Sequence, residues 1–327
     1  MLQVPNGVWY GADPEAFLMR DRRIIGSEKV IPEDGLRYRG GKPIIVRDGV
    51  QIELNPPASP HVTTLGKRIT QGMQTLVKHL MQYPGVSCCW DGVVEVSRDE
   101  LDSLSPGSRI LGCQPSKNAY GEKPITVDVR TYRKRSAGGH LHFGSLGRLS
   151  DNVSALVAPY DIFIGNACVM LDRDPLAAER RENYGRAGEY REPAYGLEYR
   201  TLSNFWLRNY ALLDLVTGLA NIAIAVVNDP SVEDELIAQV DVSNFIKAID
   251  TNDYELAKYN FNTIRPLLAK HLPPVGFPLS PATLDTFLVF CDGVRDRGLT
   301  HFFPQDPVKS WCAGKQVSFT AFLDTIY

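Results

Sequence analysis

The chain has 327 residues, of which 44% are hydrophobic and 22% are charged. This composition is that of an ordinary globular protein and excludes disordered, fibrous and membrane-embedded classes. The formal net charge of −3 leaves no general basic surface for nucleic acid or for an anionic membrane. Length alone predicts about two domains, and any phosphate chemistry must come from a local site.

The sequence shows no clear pattern of a signal peptide, a membrane span or a cysteine-based metal site. Residues 1–17 lack the basic start and the continuous apolar run of a signal peptide, so we expect a cytoplasmic protein. The most apolar stretch, residues 210–228, is interrupted by Asp214 and Asn221, which predicts a buried core helix rather than a membrane span. Six cysteines show no C-x-x-C spacing, so we expect buried free thiols in a reducing compartment.

Strand patterns dominate the start of the chain. Residues 8–19 and 43–54 have the β-branched runs and turns of hairpins, and apolar residues at helical spacing predict an amphipathic helix over residues 62–83. Further along, the sequence predicts strands over 86–96, 127–133 and 139–143, an active-site loop or flap over 104–124, and a helix over 155–171.

Helices dominate the end of the chain. They are predicted over 210–227, 232–249, 253–269 and 281–297. We therefore expect an α+β protein in which a catalytic sheet body spans residues 1–207 and a mainly helical C-terminal region spans residues 208–327. The second part would pack on the first, or the two would form one continuous domain.

Four short segments carry metal-binding or ionic side chains at positions i and i+2. Because side chains alternate along a strand, each pair points to one side of a sheet. Four such pairs predict one polar, charged sheet face. The pairs are Asp13 and Glu15, Glu53 and Asn55, His140 and His142, and Glu198 and Arg200.

Clustered carboxylates on such a face repel one another unless cations neutralise them. Carboxylate oxygens with an occasional imidazole nitrogen suit Mg²⁺ or Mn²⁺, and magnesium usually brings substrate phosphates with it. The guanidinium-rich stretch around Arg181, Arg191 and Arg200 supplies groups suited to bidentate contacts with phosphate or carboxylate. Taken singly, each segment also fits a structural role, as a turn, an exposed strand end or an ion-pair network.

Five motifs, taken in this order, resemble the phage-encoded carboxylate-amine ligases of the COOH-NH2 ligase type 2 family, within the glutamine synthetase and glutamate-cysteine ligase superfamily. The resemblance runs from about residue 8 to about residue 210. The motifs are residues 11–15 (Gly-Ala-Asp-Pro-Glu), 51–55 (Gln-Ile-Glu-Leu-Asn), 138–144 (Gly-Gly-His-Leu-His-Phe-Gly), 184–191 (Tyr-Gly-Arg-Ala-Gly-Glu-Tyr-Arg) and 196–206 (Gly-Leu-Glu-Tyr-Arg-Thr-Leu-Ser-Asn-Phe-Trp).

The resemblance implies a curved antiparallel sheet, flanked by helices, whose concave face binds ATP and divalent ions. By motif, it implies metal ligands at Asp13, Glu15, Glu53, His140 and Glu198. It also implies that His142 lies near the nucleotide and Arg200 near the transferred phosphate. Arg191 and one of Arg180 or Arg181 would clamp phosphate or the acceptor carboxylate. Arg191 and Arg200 are the expected catalytic residues.

The chemistry implied is formation of an amide bond through an acyl phosphate, with ATP and Mg²⁺ or Mn²⁺ as cofactors. The expected partners are small-molecule, peptide or protein carboxylates and amines, in a host cytoplasm if the protein is phage-encoded. Relatives often self-associate, so a homo-oligomer is also an expectation. The sequence does not single out a base for the amine, although Glu122 in the 104–124 loop is a candidate.

Two alternatives stay open at this point. A metal-dependent hydrolase or oxygenase would use His140, His142 and a carboxylate without ATP, and the arginines between residues 180 and 200 argue against it. A non-catalytic protein could keep the same fold. All the charged motif positions are retained, which argues against a protein that has lost its activity.

Overall fold

The computed structural model of the protein describes residues 1–109, 116–122, 133–145, 152–303, 306–313 and 316–327. The predicted strand over 127–133 lies almost entirely outside the described residues, as do parts of the predicted 104–124 loop. Within the described residues, antiparallel sheets built largely from the first half of the chain are flanked by many helices. This agrees with the expected mixed architecture, whereas the glutamine synthetase type of sheet stays a prediction.

The strands form two larger sheets and one two-stranded ribbon, and every pairing among the described strands is antiparallel. The strands are β1 (Trp9–Ala12), β2 (Glu15–Arg20), β3 (Arg23–Ile25), β4 (Leu36–Arg37), β5 (Pro43–Asp48), β6 (Gln51–Leu54), β7 (Val86–Cys89), β8 (Val93–Glu95), β9 (Lys117–Asn118), β10 (Lys134–Ser136), β11 (Leu141–Gly144), β12 (Glu189–Arg191) and β13 (Gly196–Tyr199).

The first sheet has the strand order β1-β11-β13-β12-β9, and the second has the order β3-β2-β6-β5-β4, with β7 also paired to β2. Strands β8 and β10 form the ribbon. The chain passes from the first sheet to the second through Asp13 and Pro14, between β1 and β2. A hydrogen bond from Glu15 N to Gly138 O, 2.9 Å long, ties the two sheets together at this junction.

The predicted hairpins are confirmed, and their turns have the expected chemistry. Asp21 and Arg22 join β2 to β3 and have φ values of +51° and +63°. Positive φ at both central residues is what a two-residue hairpin turn needs in order to match the twist of the strands. Gly49, at φ +57°, opens the turn between β5 and β6. That second turn brings Asp48 directly opposite Gln51.

The helices follow the predicted pattern with local differences in their bounds. They are α1 (Val62–Leu80), α2 (Arg98–Ser103), α3 (Pro106–Arg109), α4 (Val157–Tyr160), α5 (Asn166–Leu171), α6 (Ala177–Asn183), α7 (Tyr210–Val227), α8 (Pro230–Gln239), α9 (Val242–Asp250), α10 (Tyr254–His271), α11 (Leu284–Arg297), α12 (Leu299–Phe302) and α13 (Phe319–Ile326). Short 3₁₀ segments cover Ser27–Lys29, Val153–Leu156 and Asn204–Arg208, and π turns cover Asp161–Gly165 and Val308–Cys312.

The single helix predicted over 232–249 is wrong, because the chain breaks there into α8 and α9. The Asp241 side chain accepts a hydrogen bond of 3.0 Å from Ser243 N and so starts a new helix. The helix predicted over 155–171 is present, but its middle is the π turn Asp161–Gly165, which connects α4 to α5. The helix predicted over 281–297 begins later, at Leu284.

Two helical stretches are long and apolar enough to cross a membrane, Val153–Leu171 and Tyr210–Val227. The protein itself buries 78% of the first and 83% of the second, which agrees with the core helix predicted for residues 210–228. One large hydrophobic cluster includes Leu65 of α1 and Leu213 of α7. Side chains on both sides of residue 207 therefore share a core, and the domain boundary stays a prediction.

The five described cysteines are free thiols, as expected. Four of them are buried, whereas Cys312 is exposed, so the expectation of burial is wrong for that residue. Cys312 ends the short π turn Val308–Cys312, in which Ser310 and Trp311 are the buried residues. Cys113 lies outside the described residues.

Candidate active site

One row of polar side chains crosses the first sheet. Strand register pairs His142 of β11 with Glu198 of β13, and pairs Glu198 with Arg191 of β12. Directly opposed residues of antiparallel strands point to the same face. Gly11 of β1 completes the row opposite His142. An imidazole, a carboxylate and a guanidinium therefore lie side by side on one sheet face, as the sequence pattern predicts.

Asp13 joins this row from the junction between the sheets. Its Oδ1 atom lies 3.1 Å from Nδ1 of His140 and 2.9 Å from Nε2 of His142. Burial opposes ionisation of Asp13, but the two imidazoles outweigh burial and lower its pKa. Burial lowers the pKa of His140 in spite of Asp13, whereas attraction to Asp13 outweighs burial and raises the pKa of His142.

A second acidic group lies on the neighbouring sheet. Glu15 of β2 is paired in register with Glu53 of β6, and one oxygen each of Glu15, Asp48 and Glu53 lie within 4.8 Å of one another. Burial raises the pKa of all three carboxyls, with repulsion among the acids as the next cause, and the pKa of Glu53 reaches about 7. Glu15 Oε2 accepts hydrogen bonds from Gly138 N at 2.6 Å and from Gln51 Nε2 at 3.0 Å.

Asp48 is a site residue that sequence reasoning missed, because the pattern over residues 43–54 indicates only a hairpin with a turn. The hairpin register contains the signal that would have found it. Asp48 is directly opposite Gln51, and Gln51 shares a strand face with Glu53. A two-residue turn after Asp48 therefore places its carboxylate on the same face as the predicted metal ligand.

The donor atoms fit divalent cations. One ligand atom each of Asp13, His142 and Glu198 lie within 4.8 Å of one another, as do those of the second acidic group. Nε2 of His142 and Oε1 of Glu198 are buried, and they contact charged groups, Asp13 Oδ1 at 2.9 Å and Arg200 Nε at 3.2 Å. Two carboxylates beside an imidazole form a donor set that a divalent cation could share. Oxygen-rich sites with one imidazole suit Mg²⁺ or Mn²⁺.

The structure brings together every residue predicted as a metal ligand, in two adjoining groups. The prediction of one sheet face is wrong, because the strands of the two groups belong to different sheets. Both His140 and His142 face Asp13, and Nδ1 of His140 also lies 3.7 Å from Oε1 of Glu198. The division of metal and nucleotide roles between the two histidines stays a prediction. The predicted metal ligands are Asp13, Glu15, Glu53, His140 and Glu198, and the structure adds Asp48 to their surroundings.

Two of the predicted arginines contact the metal-binding row. Arg191 Nη1 lies 3.4 Å from Glu198 Oε2, and Arg200 Nε lies 3.2 Å from Glu198 Oε1. The Arg200 side chain is fully buried, so its charge acts at low local dielectric. The two guanidiniums thus lie beside the proposed cation ligands, on the side of β12 and β13.

The other two predicted arginines are buried but tied to backbone carbonyls. Arg180 donates to Thr201 O at 3.1 Å and to Leu202 O at 2.9 Å. Arg181 donates to Ile249 O, 3.1 Å away in α9. Arg180 is the one of the pair that lies beside the site, and a phosphate contact for either stays a prediction.

Two tyrosines are further residues that sequence reasoning did not assign. The Tyr184 hydroxyl contacts His140 Nε2 and accepts a hydrogen bond of 2.7 Å from Arg200 Nη2. The Tyr195 hydroxyl contacts His142 Nδ1. Tyr184 opens the motif at 184–191, and Tyr195 directly precedes the motif at 196–206, which is the sequence signal that marks both. Glu122, the candidate base, forms an ion pair with Arg186.

A cavity of about 540 Å³ opens beside Asp13 and His142. Two of its walls, Trp9 and Tyr195, keep 47% and 54% of their surface exposed. Its lining holds the single carboxylate of Asp13 and, among the described residues, neither lysine nor arginine. The cavity therefore suits a flat, uncharged group. Its lining is Trp9, Tyr10, Gly11, Ala12, Asp13, Asn55, Pro56, Ala58, His142, Phe143, Gly144, Ser145 and Tyr195.

A buried carboxyl supports the sheet from behind the site. Asp161, in the π turn, accepts hydrogen bonds from Tyr199 Oη at 2.6 Å, Gly188 N at 2.7 Å and Tyr120 Oη at 2.8 Å. Burial raises its pKa to about 7. Tyr199 lies between Glu198 and Arg200, so Asp161 fixes the strand that carries both.

Part of the chain matches the model of a known protein family. A family model described as phage phiEco32-like COOH.NH2 ligase-type 2 matches residues 126–255, which include the arginine-bearing strands and both histidines. No curated protein matches the chain. A crystal structure of a bifunctional glutathione synthetase from Pasteurella multocida is similar over 98% of this chain and 49% of that one, with 12% identity and a TM-score of 0.49. The chain thus spans about half the length of that protein. The family match supports a carboxylate-amine ligase.

Proposed function

We propose that this protein is an ATP-dependent ligase that joins a carboxylate to an amine through an acyl phosphate. The observation that carries the proposal is the register row His142, Glu198 and Arg191, in which cation ligands directly adjoin guanidiniums on one sheet face. Phosphoryl transfer needs this juxtaposition, because its catalysis depends mainly on positioning and on charge stabilisation. The family match over residues 126–255 gives independent support.

The cation ligands would hold Mg²⁺ or Mn²⁺. Asp13, His140, His142 and Glu198 form one set of donors, and Glu15, Asp48 and Glu53 form the other. A bound divalent ion would neutralise phosphate charge at these donors. Burial, followed by repulsion from neighbouring carboxylates, raises the pKa of Glu15, Asp48 and Glu53, and a bound cation would favour their ionised forms.

The reaction balances in two steps. A carboxylate oxygen attacks the γ-phosphorus of ATP, the bond from that phosphorus to the β,γ-bridging oxygen breaks, and ADP leaves. The amine nitrogen then attacks the acyl carbon, the carbon–oxygen bond to phosphate breaks, and inorganic phosphate leaves with loss of one proton from nitrogen. ATP is needed because oxide is too poor a leaving group for direct attack on a carboxylate.

Arg191 and Arg200 would stabilise the charge that develops on the transferred phosphoryl group. Both guanidiniums are held beside Glu198, so little reorganisation is needed when a phosphate arrives. Loss of one such donor commonly costs about 3 to 4 kcal/mol of transition-state stabilisation. Arg180, beside the site, would add a third positive charge next to the same region.

The cavity at Trp9 and Tyr195 would receive the nucleoside end of ATP. Its walls are aromatic, its lining carries no basic side chain among the described residues, and it adjoins His142. An aromatic base can stack on such walls, whereas phosphates would be repelled by Asp13 unless a cation screened it. The triphosphate would then extend from the cavity toward the arginines.

The acceptor substrates are proposed only by class. Small molecules, peptides and proteins that carry a carboxylate or an amine all fit the chemistry, and the near-neutral net charge of −3 argues against long nucleic-acid contacts. We further propose a phage-encoded protein that acts in the host cytoplasm, on the description of the matching family. Self-association stays a prediction.

Trapping with hydroxylamine tests the proposal. The purified protein is incubated with ATP, Mg²⁺, hydroxylamine and pools of carboxylates, and hydroxamate and ADP are measured together. We expect equal amounts of both products in the pool that contains the acceptor. Glu198→Gln should abolish them, and Glu192→Gln, on an exposed carboxylate paired with Lys117, should not. Hydroxamate formed without ATP would contradict the proposal.

A further inference from the structure

Tyr184 lies between the cation-binding and the phosphate-binding halves of the site. We infer that Tyr184 is a positioning residue that couples the two halves by holding His140 and Arg200 with one hydroxyl. The inference rests on the proposed function, because it concerns how the same site is organised. Neither the charge pattern of the sequence nor the reaction itself requires a phenol at this position.

The contacts of Tyr184 are made to buried partners. His140 is 3% exposed and Arg200 is fully buried, and the Tyr184 hydroxyl bridges Nε2 of the first and Nη2 of the second. Two guanidiniums also pack on the ring, whose centroid is 5.2 Å from Cζ of Arg200 and 5.0 Å from Cζ of Arg180. Such cation–π contacts hold a ring in place when they are desolvated.

The local backbone explains why the ring sits there. Helix α6 ends at Asn183, and Tyr184 leaves it in an extended conformation with φ −166° and ψ 141°. Gly185 follows at φ +76°, and a Cβ at that position would lie 2.1 Å from Nη1 of Arg180. A glycine is therefore required for Arg180 to pack against the Tyr184 ring.

Hydrogen-bond chemistry explains why the residue is a tyrosine. A guanidinium can only donate, so the Tyr184 oxygen accepts from Arg200. The hydroxyl can also either donate its hydrogen to an unprotonated Nε2 of His140 or accept a second hydrogen bond from a protonated Nε2. Phenylalanine would keep the ring against the guanidiniums and would lose the hydrogen bonds to Arg200 and His140.

The two options correspond to two states of the site. With Tyr184 donating to Nε2, the His140 proton is on Nδ1 and faces Asp13 Oδ1, 3.1 Å away. With Nε2–H donating to Tyr184, the Nδ1 lone pair faces oxygens of Asp13 and Glu198, at 3.1 Å and 3.7 Å. A cation would satisfy these three acceptor atoms together. Tyr184 thus allows His140 to offer Nδ1 to a cation while remaining anchored to Arg200.

Partners of this kind on the far nitrogen of a ligating imidazole typically change metal affinity by about 10–100-fold. We therefore expect Tyr184→Phe to weaken binding of Mn²⁺ by about 10–100-fold. Mn²⁺ binding is measured directly, by the electron paramagnetic resonance signal of the free ion, with no substrate present. The same measurement with a non-hydrolysable ATP analogue gives the factor by which nucleotide strengthens Mn²⁺ binding. We expect that factor to fall in Tyr184→Phe, because the link to Arg200 is cut.

The matched control is Tyr190→Phe. Tyr190 belongs to the same motif and is buried, but it alternates with Glu189 and Arg191 on β12 and so faces the opposite side of the sheet. It should bind Mn²⁺ with wild-type affinity. Circular dichroism and thermal unfolding establish that both variants are folded.

The outcomes separate the inference from the proposed function. Wild-type protein that binds neither Mn²⁺ nor nucleotide contradicts the proposed function and the inference with it. Wild-type binding that is unchanged in Tyr184→Phe contradicts the inference alone. If Tyr184→Phe does not fold, the inference is tested on the wild type, by recording the ¹⁵N resonances of the imidazoles during titration with Mg²⁺. We expect the ring proton of His140 to move from Nδ1 to Nε2, and the absence of this movement would overturn the inference.

Discussion

His142 and Glu198 face each other in register on neighbouring antiparallel strands, and their buried Nε2 and Oε1 atoms contact Asp13 Oδ1 at 2.9 Å and Arg200 Nε at 3.2 Å. Both residues belong to the donor group that Asp13 completes. Carboxylates buried close together repel one another unless positive charge neutralises them. The proposed function therefore places a divalent cation at this pair.

Cation binding should release protons near neutral pH. Burial, with repulsion from Asp13 as the next cause, raises the pKa of Glu53 to about 7, and the carboxyl must lose its proton before it can bind a metal. We expect about one proton released per Mg²⁺ bound at pH 6 and fewer at pH 9. Calorimetric titrations in two buffers of different ionisation enthalpy measure this number. Heats that do not depend on the buffer would rule the prediction out, and Glu53→Gln should reduce the release.

Arg191→Lys should slow ligation without unfolding the protein. A lysine keeps the charge but loses the planar fork that contacts phosphate in a bidentate manner. We expect a fall in kcat of about 10²–10³-fold, the usual effect of losing one positioned donor. Steady-state rates of ADP formation, once an acceptor is known, measure it. Arg265→Lys, on the surface of α10, is the control and should keep the wild-type rate. An active Arg191→Lys enzyme would remove Arg191 from the mechanism.

Trp9 should report occupation of the cavity. The other three tryptophans, Trp90, Trp206 and Trp311, are buried, whereas Trp9 is half exposed, so quenching by acrylamide measures mainly Trp9. A non-hydrolysable ATP analogue with Mg²⁺ should protect Trp9 from quenching, because a base stacked in the cavity covers its ring. Inorganic triphosphate should not protect it. Equal protection by both compounds would place the base elsewhere, and Trp9→Phe should abolish the signal.

Asp161 should make the protein less stable as pH rises. Burial raises its folded pKa from 3.8 to about 7, so its contribution is complete below about pH 4 and is lost as pH rises through about 7. The part of this loss that falls between pH 5 and pH 8 corresponds to up to roughly 3 kcal/mol. Urea denaturation at pH 5 and pH 8 measures it, and Asp161→Asn should show a smaller decrease in the free energy of unfolding between the two. The same decrease in both proteins would contradict the prediction.

Most of the local structure was accessible from sequence, because hairpin turns and helical spacing are local signals. The helix over 232–249 was mispredicted because its apolar spacing continues across the break, while the decisive event is capping by Asp241. Local patterns also placed one member of each charged pair on a strand. The division of these residues between two sheets depends on strand order, which brings β11 beside both β1 and β13 and β6 beside β2, and which cannot be inferred from periodicity.

The site residues that were not assigned from sequence are of two kinds. Tyr184 and Tyr195 act through contacts that form only when distant segments meet, such as Tyr184 with His140 and Arg200. Asp48 needs only the register of its own hairpin, which places it opposite Gln51. The arginine pair at 180 and 181 could not be resolved from sequence, because the direction of each side chain depends on the packing of α6.

Binding of a non-hydrolysable ATP analogue, measured by calorimetry with and without Mg²⁺, tests the central claim most directly. The titration is made on the wild type, on Glu198→Gln and on Glu192→Gln, which changes an exposed carboxylate near the same strands. The account predicts micromolar, Mg²⁺-dependent binding that is lost in Glu198→Gln and kept in Glu192→Gln. Wild-type protein that binds no nucleotide under either condition would contradict an ATP-dependent ligase.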